Sequence, residues 1–294
     1  MPTGLKPQPH RLFFSALLIV VLGTTGCTTP EAVREFTASA TEAAAQFPPL
    51  VRDMTESCIR KQLADRPLNE IADVNQQVTD ACKEFSDLEP NLMGALRVFT
   101  QYLNALNQLA SDSAVSYDTE IDGFARKLQA ATKFKEPEVK AIKGLAKFLF
   151  DAAASGYQRQ KLGSAIKAAD ADVATLTAAL GTIIGADYER VLRTEQESVR
   201  TRYREAVAAD RNMGTLLLIQ ERWRQDLAIL NGKRRAAKDY QEILGKIRDG
   251  HKQLAAQVDH WDAKQLIQTL KPYGSTLKDL AADFRAAYFS QISF

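Results

Sequence analysis

Residues 188–230 read YERVLRTEQESVRTRYREAVAADRNMGTLLLIQERWRQDLAIL. Within them Tyr188, Val191, Leu192, Val199, Tyr203, Ala206, Met213 and Leu217 recur at helical spacing between charged side chains, and no proline occurs from 172 to 249. Apolar residues three and four apart share one face of an α-helix, so this stretch predicts a long amphipathic helix. Carried from 188 to 230, it would be about 65 Å long at ~1.5 Å per residue. Asn231-Gly232 is the strongest turn signal that follows. The sequence therefore predicts a return helix over 233–271, stopped by Pro272 and open to interruption at Gly250. Leu277, Leu280, Phe284 and Tyr288 mark a closing helix.

The same period runs upstream. Leu92, Leu96, Phe99, Leu103, Leu106 and Leu109 repeat at three and four, ending at Ser111-Asp112-Ser113. Ile121, Phe124 and Leu128 mark a short helix before Glu136-Pro137, and Val139, Ile142, Ala146, Leu149, Ala153 and Tyr157 mark the next. Pro48-Pro49 interrupts near Phe47, and Pro90 interrupts or kinks the helix over 86–89. No alternation at period two is sustained. The expected architecture is all-α: an elongated antiparallel bundle of long helices without a sheet, over 31–294. It subdivides into 31–112 and a long-helix region, 113–294. Gly181-Thr-Ile-Ile-Gly185 has the small-xxx-small spacing that lets helices approach closely inside a bundle. The uncharged run around it, 173–186, is too short to span a membrane.

The chain opens with Lys6 and Arg11, continues as LFFSALLIVVL over 12–22, and passes through small residues to Gly26-Cys27. Positive, then apolar, then small is the layout of a secretory signal, and 11 apolar residues are too few to cross a bilayer as a helix. Thr24-Thr25-Gly26-Cys27 resembles the lipobox of bacterial lipoproteins, with Thr24 standing where that class usually carries leucine. The resemblance covers the first 27 residues only. It implies that 1–26 are removed, that Cys27 is acylated on its sulfur and new amino terminus, and that 27–30 form a lipidated tether. Thr28 is not the aspartate that resembles an inner-membrane retention signal, which favours the outer membrane. More than one acyl chain makes such an anchor stable. Thr29-Pro30-Glu31 then starts a helix, with an N-cap oxygen, proline at the first position and an acid near the positive dipole end.

Loss of Lys6 and Arg11 with the signal brings 38 basic residues to 36, against 36 acidic ones. A formally neutral chain argues against nucleic acid as a partner. With Cys27 lipidated, Cys58 and Cys82 remain, and in the periplasm they are expected to pair. Periodicity agrees: Leu50, Val51, Met54 and Cys58 share one helical face, and Ile71, Val74, Val78, Cys82 and Phe85 share another. Asp65-Arg66-Pro67 breaks the helix between them, so two antiparallel helices would bring the sulfurs to one seam. The disulfide would staple the region 31–112.

Catalytic signals are missing. His251 and His260 are nine apart, on opposite faces of one helix, and are expected as exposed polar residues that cannot chelate together. There is no HExxH, GxSxG, P-loop or GxGxxG. Asp259 with Asp262, or Asp170 with Asp172, could be written as catalytic pairs, but among 36 acids they read as solvated faces. Lys233, Arg234, Arg235 and Lys238 form a candidate binding patch for anionic lipid, lipopolysaccharide or an acidic protein. The alternative is a polar helix face balanced by Asp239 and Glu242. The aromatic C-terminal residues Tyr288 and Phe289 are expected to close the bundle end. The expected function is that of a noncatalytic envelope lipoprotein, periplasm-facing and held to the membrane by lipid on Cys27, which binds or scaffolds an envelope protein. No cofactor or metal is called for. Two alternatives are an immunity lipoprotein that occludes a toxin and a carrier of lipid or another apolar ligand.

Overall fold

Prolines and short polar breaks set most of the helix boundaries. The structure, a computed structural model, describes residues 28–70, 74–129, 134–154, 162–258 and 263–289. Residues 1–26, where the signal is expected, and Cys27, Ile71, Tyr157, Asp259, His260 and Asp262 lie outside the described residues. Helix α1 spans Thr28–Ala44, and α2, Pro48–Ala64, begins on the Pro48-Pro49 pair, where proline's missing N–H costs nothing. It ends just before Asp65-Arg66-Pro67. A short α3, Gln76–Ala81, is capped by the Asn75 side chain, which accepts from the Val78 N–H. Then come α4 (Lys83–Ala110), α5 (Glu120–Lys127) and α6 (Glu136–Ala154). Helix α7 (Leu162–Thr182) runs through a π-helical turn, Ile183–Tyr188, into α8 (Glu189–Ala209). Helices α9 (Met213–Gln257) and α10 (Ala263–Phe289) complete the chain. The fold is all-α, with no strand among the described residues.

Four of the sequence's candidate break points lie inside continuous helices. Asn231-Gly232 is not a turn: α9 passes through it. The chain reverses instead at Asp210-Arg211-Asn212, where Asp210 is extended and accepts from the Asn212 N–H at 2.7 Å. The Asn212 side chain caps α9 by accepting from the Gly214 and Thr215 N–H groups at 2.9 and 3.2 Å. Pro272 lies inside α10 rather than ending the return helix, and α4 likewise continues through Pro90. Gly250 does not interrupt α9; a Cβ there would come within 2.4 Å of the Phe36 ring, so its role is close approach of α1.

Helices α1, α4, α6, α7, α9 and α10 form a closed ring, each packed on the next, around a core rich in Leu, Ala and aromatic side chains. Phe47, Tyr240, Phe284 and Tyr288 pack ring to ring through it, Tyr240 and Phe284 edge to face and the other two pairs stacked. The Gly181/Gly185 spacing serves this packing: a Cβ on Gly185 would collide with Gln241, whose amide donates to the Gly181 carbonyl at 3.0 Å. The continuous helix Leu162–Ala209 is long and apolar enough to cross a membrane by composition, and Val173, Leu176, Leu180 and Ile184 along it are buried in the core.

Helix α1 runs antiparallel to α9: Phe36 lies against Gly250, and the Tyr240 hydroxyl donates to the Ala44 carbonyl at 3.0 Å. Helix α2 continues along the same line, past Lys233 and then past α8. The first half of α9 leaves the ring. Its burial begins only at Leu230, and over 213–229 it packs against α8 as a projecting hairpin. Near the tip, Met213, Leu217 and Leu218 are 70%, 60% and 73% exposed. Cys58 of α2 is disulfide-bonded to Cys82, between α3 and α4, with Cα atoms 5.8 Å apart.

Candidate functional site

Where α2, α8 and the projecting part of α9 meet, a cavity of about 990 Å³ opens to solvent. Leu63 and Leu68, Val199 and Ala206, and Ile219 and Ile229 contribute its apolar walls from the three sides. Its floor is a buried charge network. Lys233 Nζ lies 2.6 Å from Asp53 Oδ1, which also accepts from Arg60 at 2.9 Å, while the Tyr188 hydroxyl donates to Asp53 Oδ2 at 2.7 Å. Arg60 Nε donates to Glu195 Oε1 at 2.5 Å, and the Ser57 hydroxyl donates to Glu195 Oε2 at 2.5 Å. Asp53, Glu195 and Lys233 are each under a tenth exposed.

Two cations face two carboxylates, and every carboxylate oxygen is engaged, the condition under which buried ions are tolerated. Burial works against the Arg60 charge, yet hydrogen bonding to Glu195 and the field of Asp53 raise its pKa further. Burial foremost, then the Asp53 carboxylate, pushes the Tyr188 phenol well above its ordinary value. On the wall, burial and the hydrogen bond to Asp226 push Tyr203 up to about 12.

The sequence-predicted patch divides. Lys233 is not a solvated cation but the buried partner of Asp53. Arg234 pairs with Glu189 at 2.5 Å, while Arg235 and Lys238 are exposed. With Arg234 they border a separate cavity of about 490 Å³ beside Ile184 and Gly185. His251 is likewise corrected from exposed to wholly buried: its Nε2 is 2.7 Å from the Tyr102 hydroxyl and its Nδ1 2.9 Å from Asp170 Oδ1. That hydrogen bond, opposed by burial, holds the Asp170 carboxyl below its usual range, whereas burial raises Asp172. Among the described residues no cluster of three His, Cys, Asp or Glu could hold a metal ion.

Asp53, Ser57 and Glu195 escaped the sequence reading although a signal existed. Asp53 and Ser57 lie within the Leu50, Val51, Met54, Cys58 stripe, and Glu195 falls between Leu192 and Val199 on theirs. A carboxylate on a core face needs a buried counter-charge, and only the fold identifies which cation supplies it. Compared with protein-family models, curated proteins and solved structures, the chain matches none.

Proposed function

We propose that this chain is a lipid-anchored, noncatalytic envelope protein that presents the α8/α9 hairpin to a partner protein. The observation that carries the reading is the placement of the two ends of α9. The start of α1, the residue after Cys27, lies level with the end of α9 through the Phe36–Gly250 contact. The exposed Met213, Leu217 and Leu218 lie at the other end of the same 45-residue helix, about 67 Å away at ~1.5 Å per residue. Exposed large apolar side chains gathered at the tip of a charged projection suit a protein contact. The Cys58–Cys82 disulfide supports an oxidising compartment.

Photo-cross-linking amino acids placed at Leu217 or Leu218, and at Lys147 on the body, test the reading in intact cells. A discrete adduct from the tip positions alone is expected. No tip adduct, or the same adduct from Lys147, overturns it. In the same cells Cys27→Ala should release the protein from the membrane fraction, and continued membrane attachment would end the lipid-anchor part.

A further inference from the structure

We propose that the α2/α8/α9 cleft binds a single-chain amphiphile with a carboxylate head, of the long-chain fatty-acid class. This goes beyond the partner-binding reading and does not depend on it. Nine charged residues line the cleft: Arg60, Arg202, Arg222, Arg224 and Lys233 against Asp53, Glu195, Glu221 and Asp226, an excess of one positive charge. Four cations are accounted for. Lys233 and Arg60 satisfy Asp53 and Glu195, Arg222 pairs with Asp226 at 3.3 Å, and Arg224 pairs with Glu221 at 3.3 Å. Arg202 is the remainder. It donates to the Leu63 carbonyl at the end of α2, at 2.5 Å, and no carboxylate among the described residues lies within ion-pair distance of it.

A guanidinium with donors to spare, half-buried at the edge of an apolar cavity, is matched by one planar carboxylate, which it can hold through two parallel hydrogen bonds. A phosphate monoester, carrying about 1.5 to 2 negative charges, would overcompensate the single excess cation. The rest of the ligand is apolar: Leu63, Leu68, Val199, Ala206, Ile219 and Ile229 offer it no hydrogen bond, and Tyr203 and Gln225 already donate to Asp226 and Glu221. The volume lies at the upper end of the usual range for small-molecule sites, ample for an acyl chain.

Trp223 supplies an internal probe, since it packs on the cleft residue Tyr203 with ring centroids 5.6 Å apart. The full chain carrying Cys27→Ser and Trp261→Phe leaves Trp223 as its one tryptophan. Titration with 9,10-dibromostearic acid below its micellar concentration should quench Trp223, and the methyl ester should bind at least tenfold more weakly. Unbrominated competitors should weaken roughly two- to fourfold for each methylene removed. Arg202→Gln should abolish the preference for acid over ester. Ala206→Phe, which narrows the cleft and adds no tryptophan, should abolish the quenching of Trp223 with the circular dichroism unchanged. Absent quenching, equal binding of acid and ester, or an Arg202→Gln protein that keeps the preference would each overturn the proposal. So would a folded Ala206→Phe protein in which the brominated acid still quenches Trp223, and a cleft that takes only a partner's helix would give the first of these results.

Discussion

Lys233 illustrates how one side chain changes meaning with context. As a member of a basic run it reads as surface; in the fold it neutralises Asp53 at the floor of the cleft, with both side chains under a tenth exposed. Replacing it with methionine would leave Asp53 and Glu195 sharing the single cation Arg60, and chemical denaturation should show a loss of about 3 kcal/mol. Adding Asp53→Asn should recover a large part of that loss, because one carboxylate then faces one cation. His251 and Asp170 allow a pH test. Asp170 titrates below its unfolded value, so its bond to His251 stabilises the fold above the ordinary carboxylate range and is lost as pH falls through the lowered value. The stability gap between the natural chain and Asp170→Asn, on the order of 1 kcal/mol, should therefore be present at neutral pH and vanish in acid. A gap that persisted below the carboxylate range would disprove that account.

At the scale of elements, α9 is the instructive case. Asn-Gly favours a turn by a margin of roughly 1 kcal/mol per residue against helix, and that preference is outweighed once Leu230, Ala236, Ala237 and Tyr240 are buried along one face. Asn231 then occupies an exposed interior helical position, and Asn231→Ala should raise stability by about 0.5 kcal/mol. Asn212→Ala should do the opposite, removing the cap of α9 at a cost of about 1 kcal/mol. Because the tip has little buried contact, the loss should be confined to faster amide exchange over 213–220. A stabilised Asn212 variant together with a destabilised Asn231 variant would return the turn to 231–232.

Among the described residues a ring of six helices forms the body, α2, α8 and the first half of α9 form an arm, and the disulfide works at their junction. Cys58 and Cys82 close a loop of 24 positions that contains Leu68, part of the cleft wall. By restricting the unfolded chain the bond should contribute about 3 kcal/mol, so a Cys58→Ser/Cys82→Ser protein should melt earlier by roughly that margin. Unchanged melting on reduction would mean that packing around α3 already holds the loop closed.

Much of this organisation is written in periodicity. Proline placement, the 3.6-residue stripes and the absence of alternation determined an all-α bundle, the start of α2 and the end of α4, because those signals act over one or two helical turns. Cys58 and Cys82 do meet, but Val74 precedes α3 and Cys82 separates α3 from α4 where the periodicity predicts one helical face over 71–85. Tertiary structure decided where the long hairpin turns, that Pro90 and Pro272 are carried inside helices, and that His251 is buried. It also decided that Asp53, Arg60, Glu195 and Lys233 meet. Those outcomes depend on which face is covered by residues far away in the chain, and burial free energy summed over a helix exceeds the local preference of any dipeptide within it.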